Sequence, residues 1–185
     1  MEMSEKDKAL AGMEFLRGSE ELKAMRSRAE DLCFQLNQTS PQEEKKRQEI
    51  LQQLLPNLGE GSSVKPPFLC DYGTFIFAGK DFFANYGCKF LDGGKIIFGD
   101  HVLVGPDCIF ATPVHPTDPK RRLEGYEQFK DIKVGNNVWF GAGVIVCPGV
   151  SIGDNATIGA GSVVTKDIPS NCVAVGNPCR VIRGV

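Results

Sequence analysis

Two patterns of apolar positions divide the chain. Leu22, Met25, Ala29, Leu32 and Leu36 recur three or four residues apart, which marks one buried helical stripe. Ser19 followed by Glu20 and Glu21 supplies a cap and an acidic first turn. The stretch "NQTSPQEE" should end this helix and start a second, with Ser40 as N-cap, Pro41 at the first helical position and Glu43 completing a capping box. Ile50, Leu51, Leu54 and Leu55 form the apolar end of that helix, and Pro56 with Gly59 closes it. The pattern predicts an α-helical hairpin within residues 1–58.

From about residue 75 the period becomes six. From Ile132 to Asp167 the chain reads "IKVGNN", "VWFGAG", "VIVCPG", "VSIGDN", "ATIGAG", "SVVTKD". The third residue of each is apolar (Val134, Phe140, Val146, Ile152, Ile158, Val164), and the fourth is Gly in four of the six. "IIFGDH" (96–101) and "VLVGPD" (102–107) obey the same rule, "IFAGKD" and "FFANYG" (76–87) obey it with Ala third, and the frame slips by two residues at "LDGG". Alternate residues of a strand face the same way, so positions one and three point inward. Position four is expected to turn a corner, where Gly adopts backbone angles that a Cβ forbids. Three strands and three corners close a coil of about eighteen residues, and stacked coils bury a continuous core. A mainly β fold follows: a parallel β-helix over 59–185, capped by the hairpin at 1–58 and interrupted by a protruding loop at 111–131.

Composition narrows the classes of function. At 185 residues with 42% apolar side chains, the chain suits one compact domain with a small appendage. A net charge of −2 argues against nucleic acid or an anionic membrane as partner. No apolar run approaches ~18 residues, and "EMSEKDK" after Met1 is not a basic and then apolar leader, so a cytoplasmic protein is expected. Seven cysteines without a CxxC pair fit neither a disulfide framework nor a zinc site and read as reduced packing residues. Two histidines cannot make a three-His metal site in one chain, so no metal is expected.

One of those histidines interrupts the repeat. "FATPVHPTDP" (110–119) surrounds His115 with prolines and a Thr-Asp pair, which favour a loop. Phe110 and Val134 are a whole number of hexapeptides apart, so the loop leaves the coil and returns in phase. A loop histidine is either a solvated residue or a displayed base; with an unperturbed pKa of ~6.5, imidazole suits general-base work near neutral pH. His101, in the corner "GDHV", reads as a solvated turn residue.

The hexapeptides, followed by "VVTKDIPSNCVAVGNPCRVIRGV", resemble the hexapeptide-repeat acyltransferases, and this resemblance implies a left-handed coil. The helical hairpin, "CDYGTFIFAGKDFFANYGCKFLD" and "HPTDP" narrow it to the maltose and galactoside O-acetyltransferases, nearer the maltose branch in Asp71 and in the tail ending at Val185. The resemblance implies acetyl-CoA as co-substrate, a sugar of glucosyl or maltosyl type as acceptor, and a homotrimer with active sites between subunits. It makes His115 the general base for direct attack of a sugar hydroxyl on the thioester, with the backbone N–H of Ala142 stabilising the oxyanion. Asp71, Asn85, Asp92 and Trp139 match acceptor-side positions. Each also has a plainer reading: turn residues for the aspartates, a residue tolerant of left-handed angles for Asn85, and a surface aromatic for Trp139. Ala142, Ala160, Thr165, Lys166, Arg180 and Arg183 match positions that contact CoA, whose phosphates suit the three basic side chains; singly, each is also an ordinary surface cation. Arg17 departs from the family, where a carboxylate is common, and Gly93 stands where the galactoside branch has an acid. A galactoside, an antibiotic or serine as acceptor, and a non-catalytic scaffold, are the competing readings.

Overall fold

The structure, a computed structural model, describes residues 3–185. Three helices precede the solenoid: α1 (Glu5–Leu10), α2 (Glu20–Gln38) and α3 (Glu44–Leu54). Ser19 caps α2 through the Leu22 N–H, and α2 buries Leu22, Ala29, Leu32, Cys33 and Leu36. The helix α3 starts later than the sequence predicts, at Glu44 rather than Pro41. Ser40 N does donate to Glu43 Oε2 at 3.2 Å, but the Ser40 hydroxyl accepts from Gln42 N at 3.3 Å, and Glu43 N donates to the Ser40 carbonyl at 3.0 Å, which closes a turn instead of a helix.

The solenoid is a three-sided prism of parallel strands. Its first face holds Asn57–Leu58, Ile76–Ala78, Ile96–Phe98, Ile132–Val134 and Ser151–Ile152. The second holds Ser63–Val64, Phe83–Ala84, Leu103–Val104, Trp139–Phe140, Thr157–Ile158 and Cys172–Val175, closed by the antiparallel strand Arg180–Gly184. The third holds Leu69–Cys70, Lys89–Leu91, Ile109–Ala111, Ile145–Val146 and Val163–Val164. The chain visits the faces in that order on every coil. Coiling begins at Asn57, a full turn before the hexapeptide becomes legible, because "NLGEGSSVKPPFLC" keeps the inward apolar residues but lacks the regular spacing.

The third position of every repeat from Val134 to Val164 is buried, as the spacing predicts. Phe68, Phe90, Phe110 and Phe140 form an axial column of edge-on rings with successive centroids 5.2, 5.0 and 5.1 Å apart. Edge-to-face contact of this kind adds to the area each ring buries.

The corners differ from expectation in an instructive way. The left-handed backbone lies at position six of the repeat, not four: His101, Asp107, Asn137, Gly143, Asn155 and Gly161 have φ of 56°, 59°, 55°, 68°, 57° and 69°. Asn, Asp and Gly are the residues that tolerate this region. Position four is glycine for lack of room. A Cβ on Gly141 would sit 2.6 Å from the Ala160 N of the next coil. Asn85 is at position four and is not left-handed; Gly87, φ 78°, takes that role in its corner. His101 is an exposed corner residue as expected, with Nδ1 3.3 Å from Asp81 Oδ2 one coil earlier.

The loop at 111–131 is more ordered than its prolines suggest. Ile96 pairs with Ile132 across it, so the coil closes without change of register. Within it lie the strand Pro113–Val114, the short helix α4 (Pro119–Glu124) and the strand Tyr126–Phe129. Asp118 caps α4 by accepting from Lys120 N at 3.0 Å, Pro119 opens it, and Gly125 at φ 93° ends it. No described helix is long and apolar enough to cross a membrane.

Candidate active site

The two loop strands and an N-terminal one form a small antiparallel sheet, ordered Phe15–Leu16, Tyr126–Phe129, Pro113–Val114. His115 follows immediately after the last of these. Alternation along Tyr126–Phe129 turns Glu127 and Phe129 inward; Phe129 packs on Phe15 at 4.8 Å, and Glu127 opposes Phe15 in the pairing. Glu127 is thereby 8% exposed, and its Oε1 stands 3.8 Å from His115 Nε2. Burial pushes the Glu127 pKa up, and the nearby His115 and Arg26 oppose that rise. Sequence reasoning missed Glu127. Its signal was an acid placed on the Phe129 side of the alternating stretch "YEQF".

This sheet and α2 enclose a cleft of ≈ 580 Å³ lined by His115, Glu127, Tyr72 and the charged side chains Arg17, Lys23, Arg26 and Glu30. Arg26 donates to Tyr72 Oη at 3.1 Å, and its Nε is 4.0 Å from Asp71 Oδ1. Asp71 is partly buried, which raises its pKa, with Arg26 opposing.

Asp92 does not face the cleft. It is fully buried, and its carboxylate accepts from the backbone N–H groups of Asp71, Tyr72 and Phe75 at 3.0, 2.9 and 3.2 Å. Its oxygens are therefore taken up in shaping the turn that presents Asp71 and Tyr72, which leaves none for an acceptor. Burial raises its pKa to about 7, against the opposing N–H bonds from Tyr72 and Phe75.

The other sequence-predicted residues lie elsewhere on the prism. Asn85, Ala142 and Ala160 share the corner between the second and third faces, with Trp139 outward on the second face at 56% exposure. At the corner after the first face, each position-five N–H is capped by the oxygen one coil on: Lys80 by Asp100, Asp100 by Asn136 and Asn136 by Asp154. In the Ala142 corner the next residue in the column is Ala160, which has no oxygen to cap the Ala142 N–H. Asp71, His115, Thr165 and Lys166 belong to the corner between the third and first faces, the last two on the final complete coil. Arg180 and Arg183 lie on the terminal strand of the second face, and all three basic side chains are exposed. Among the described residues no group of three or more His, Cys, Asp or Glu is placed to hold a metal ion. All seven cysteines are free, with Cys33 and Cys70 in contact at 3.7 Å between sulfurs.

Known proteins share this architecture. Residues 8–59 match the maltose acetyltransferase hexapeptide capping motif, and residues 131–166 match the six-repeat bacterial transferase hexapeptide family. The galactoside O-acetyltransferase of Escherichia coli K12 is 40% identical over 100% of this chain and 91% of its own. The crystal structure of a maltose O-acetyltransferase from Clostridium difficile 630 superposes with a TM-score of 0.97 at 48% identity, covering 99% of this chain and 98% of that one. A hexapeptide-repeat acetyltransferase from Vibrio cholerae, solved in complex with acetyl-CoA, gives a TM-score of 0.91 at 38% identity over 98% of each chain. Full-length identity at this level, the capping motif and the left-handed hexapeptide solenoid make this chain a member of the maltose and galactoside O-acetyltransferase family.

Proposed function

We propose that the protein transfers an acetyl group from acetyl-CoA to a sugar hydroxyl of maltosyl or glucosyl type, with His115 as general base. The observation that carries this reading is the His115 imidazole beside a buried carboxylate, Glu127, at the mouth of a cleft large enough for a sugar unit. The imidazole takes the hydroxyl proton as the oxygen attacks, and the charge formed on the ring is offset by Glu127 3.8 Å away. Asp71, Glu30 and Tyr72 supply the polar wall that orients the hydroxyls. Asp92 acts from behind, through the turn it holds.

Acetyl-CoA supplies the activated acetyl thioester. The residues present fit it. Small side chains at Ala142 and Ala160 leave the corner open to a narrow pantetheine arm, the uncapped Ala142 N–H suits an oxygen that gains charge, and Lys166, Arg180 and Arg183 are exposed cations for phosphate.

Within one chain the base and the Ala142 N–H stand at different corners of the prism, with the third face between them. A site that uses both is completed by a neighbouring copy, so we assign a homotrimer whose sites lie between the third-to-first corner of one subunit and the second-to-third corner of the next. Leu103 and Trp139, paired side by side and 48% and 56% exposed, offer an apolar strip for that contact. Trp139 and Asn85 then close the acceptor side of the cleft from the partner.

The test is thiol release from acetyl-CoA with glucose, maltose, a thiogalactoside, serine and chloramphenicol. Release is expected with a glucosyl acceptor, and His115→Ala should lower turnover by roughly 10²–10⁴, the usual contribution of a general base, with thermal unfolding unchanged. Full activity in that variant would remove His115 from the mechanism.

A further inference from the structure

We infer that the acceptor sugar carries an acidic substituent, a carboxylate or a phosphate ester, and that Arg17 binds it; this rests on the sugar O-acetyltransferase reading above. The cleft beside His115 is lined by three cations, Arg17, Lys23 and Arg26, and two carboxylates, Glu30 and Glu127. Most are committed. Lys23 Nζ is held by Glu20 at 2.7 Å, Arg26 by Tyr72 and Asp71, and Glu127 faces His115. Arg17 is not.

Arg17 is positioned through its backbone. Its N–H donates to Gly125 O at 3.0 Å, directly after the Phe15–Leu16 strand. Its stem runs over Gly125, where an added Cβ would lie 3.5 Å from Arg17 Cγ and 3.6 Å from Nε. No side chain among the described residues makes a hydrogen bond or ion pair with its guanidinium. Arg17 lines the same cleft as His115 and Glu127, and directly follows Leu16, which pairs with Tyr126 next to Glu127.

The other uncommitted group is Glu30, whose charge acts on Asp71. Glu30 lies one turn beyond Arg26 on α2, and Arg26 stands by Asp71, whereas Arg17 follows the strand paired with Tyr126–Phe129, so the cleft has carboxylates for sugar hydroxyls on its α2 side and a five-donor planar cation on its loop-sheet side. A guanidinium matches a carboxylate or phosphate in a bidentate pair, while a neutral hydroxyl uses little of its donor capacity. An acceptor with hydroxyls at one end and an acid group at the other fits that arrangement better than a neutral sugar does.

The experiment follows thiol release by the intact protein with acetyl-CoA and three matched acceptors: glucose, glucuronate and glucose 6-phosphate. Wild type, Arg17→Gln and Arg17→Glu are compared, with thermal unfolding as the check that these exposed-site variants fold. The kcat/KM for one charged sugar should exceed that for glucose by about tenfold or more, mainly through KM. Arg17→Gln should bring the ratio near one, and Arg17→Glu should invert it. The ranking of glucuronate against glucose 6-phosphate separates carboxylate from phosphate. Preference of the wild type for glucose would overturn the inference while leaving the sugar reading intact. So would an equal loss on all three acceptors in Arg17→Gln, which would make Arg17 only a partner of Glu127. Release with none of the three would overturn both.

Discussion

Glu127 Oε1 lies 3.8 Å from His115 Nε2, and the two residues come from opposite ends of the loop that interrupts the solenoid. The distance is beyond a hydrogen bond, yet close enough for the buried carboxylate to favour the positive charge that the proposed general-base step would put on the ring. The pairing of Pro113–Val114 with Tyr126–Phe129 is what brings them together. Glu127→Gln keeps the shape and removes the charge. We expect kcat to fall by roughly 10–100-fold with KM moved little, and the pH dependence of kcat to shift relative to wild type. An unchanged kcat and pH profile would make Glu127 a packing residue.

The Ala142 N–H can be removed without altering the corner. Pro106 occupies the equivalent position one coil earlier, after Gly105 as Ala142 follows Gly141, so proline fits the column. Ala142→Pro should fold normally and lose about 10²–10³ in kcat, the range seen when one oxyanion donor is deleted. Retained turnover in a folded variant would assign the oxyanion to another donor.

Subunit mixing tests the shared site. His115→Ala and Ala142→Pro are each inactive in the proposed scheme, but a mixed trimer holds an interface with both residues intact. Random assortment of equal amounts should restore about a quarter of wild-type turnover, since each site draws one residue from each of two subunits. No recovery after verified exchange would place both residues of a site in one chain. Sedimentation or mass photometry should give a trimer.

Asp92 provides a pH-dependent stability. Burial raises its pKa to about 7 in the folded chain, against a usual value of 3.8. Between pH ~4 and ~7 the folded state therefore holds a proton that the unfolded state has released, and this site's contribution to stability falls as pH rises through that window. Asp92→Asn should cost about 1–3 kcal/mol at pH 5, where its amide meets the Phe75 N–H, and the difference from wild type should shrink by pH 7.5. Denaturant unfolding at the two pH values measures it. A constant difference would mean that Asp92 is ionised throughout.

Much of the solenoid was legible because its physics is periodic and local. The inward residues Val134 to Val164 needed only the six-residue rhythm. Position four was misread because its glycines answer to the neighbouring coil, as Gly141 does to Ala160, and crowding between coils leaves no trace in local sequence. The delayed start of α3 is of the same kind: Ser40 and Glu43 carry a capping signature, and the chain uses it for a turn.

The sequence by itself determined the repeat, its inward apolar positions, the helical cap, the family and the display of His115 outside the coil. Each follows from residue type at short spacing. Only the tertiary structure decided that Glu127 backs His115, that Asp92 is spent on backbone N–H groups, and that Arg17 lines the same cleft with no side-chain partner among the described residues. Those relationships depend on the Phe15–Leu16 strand meeting a loop strand more than a hundred residues away, a pairing set by packing of Phe15 on Phe129 and not by any periodicity along the chain.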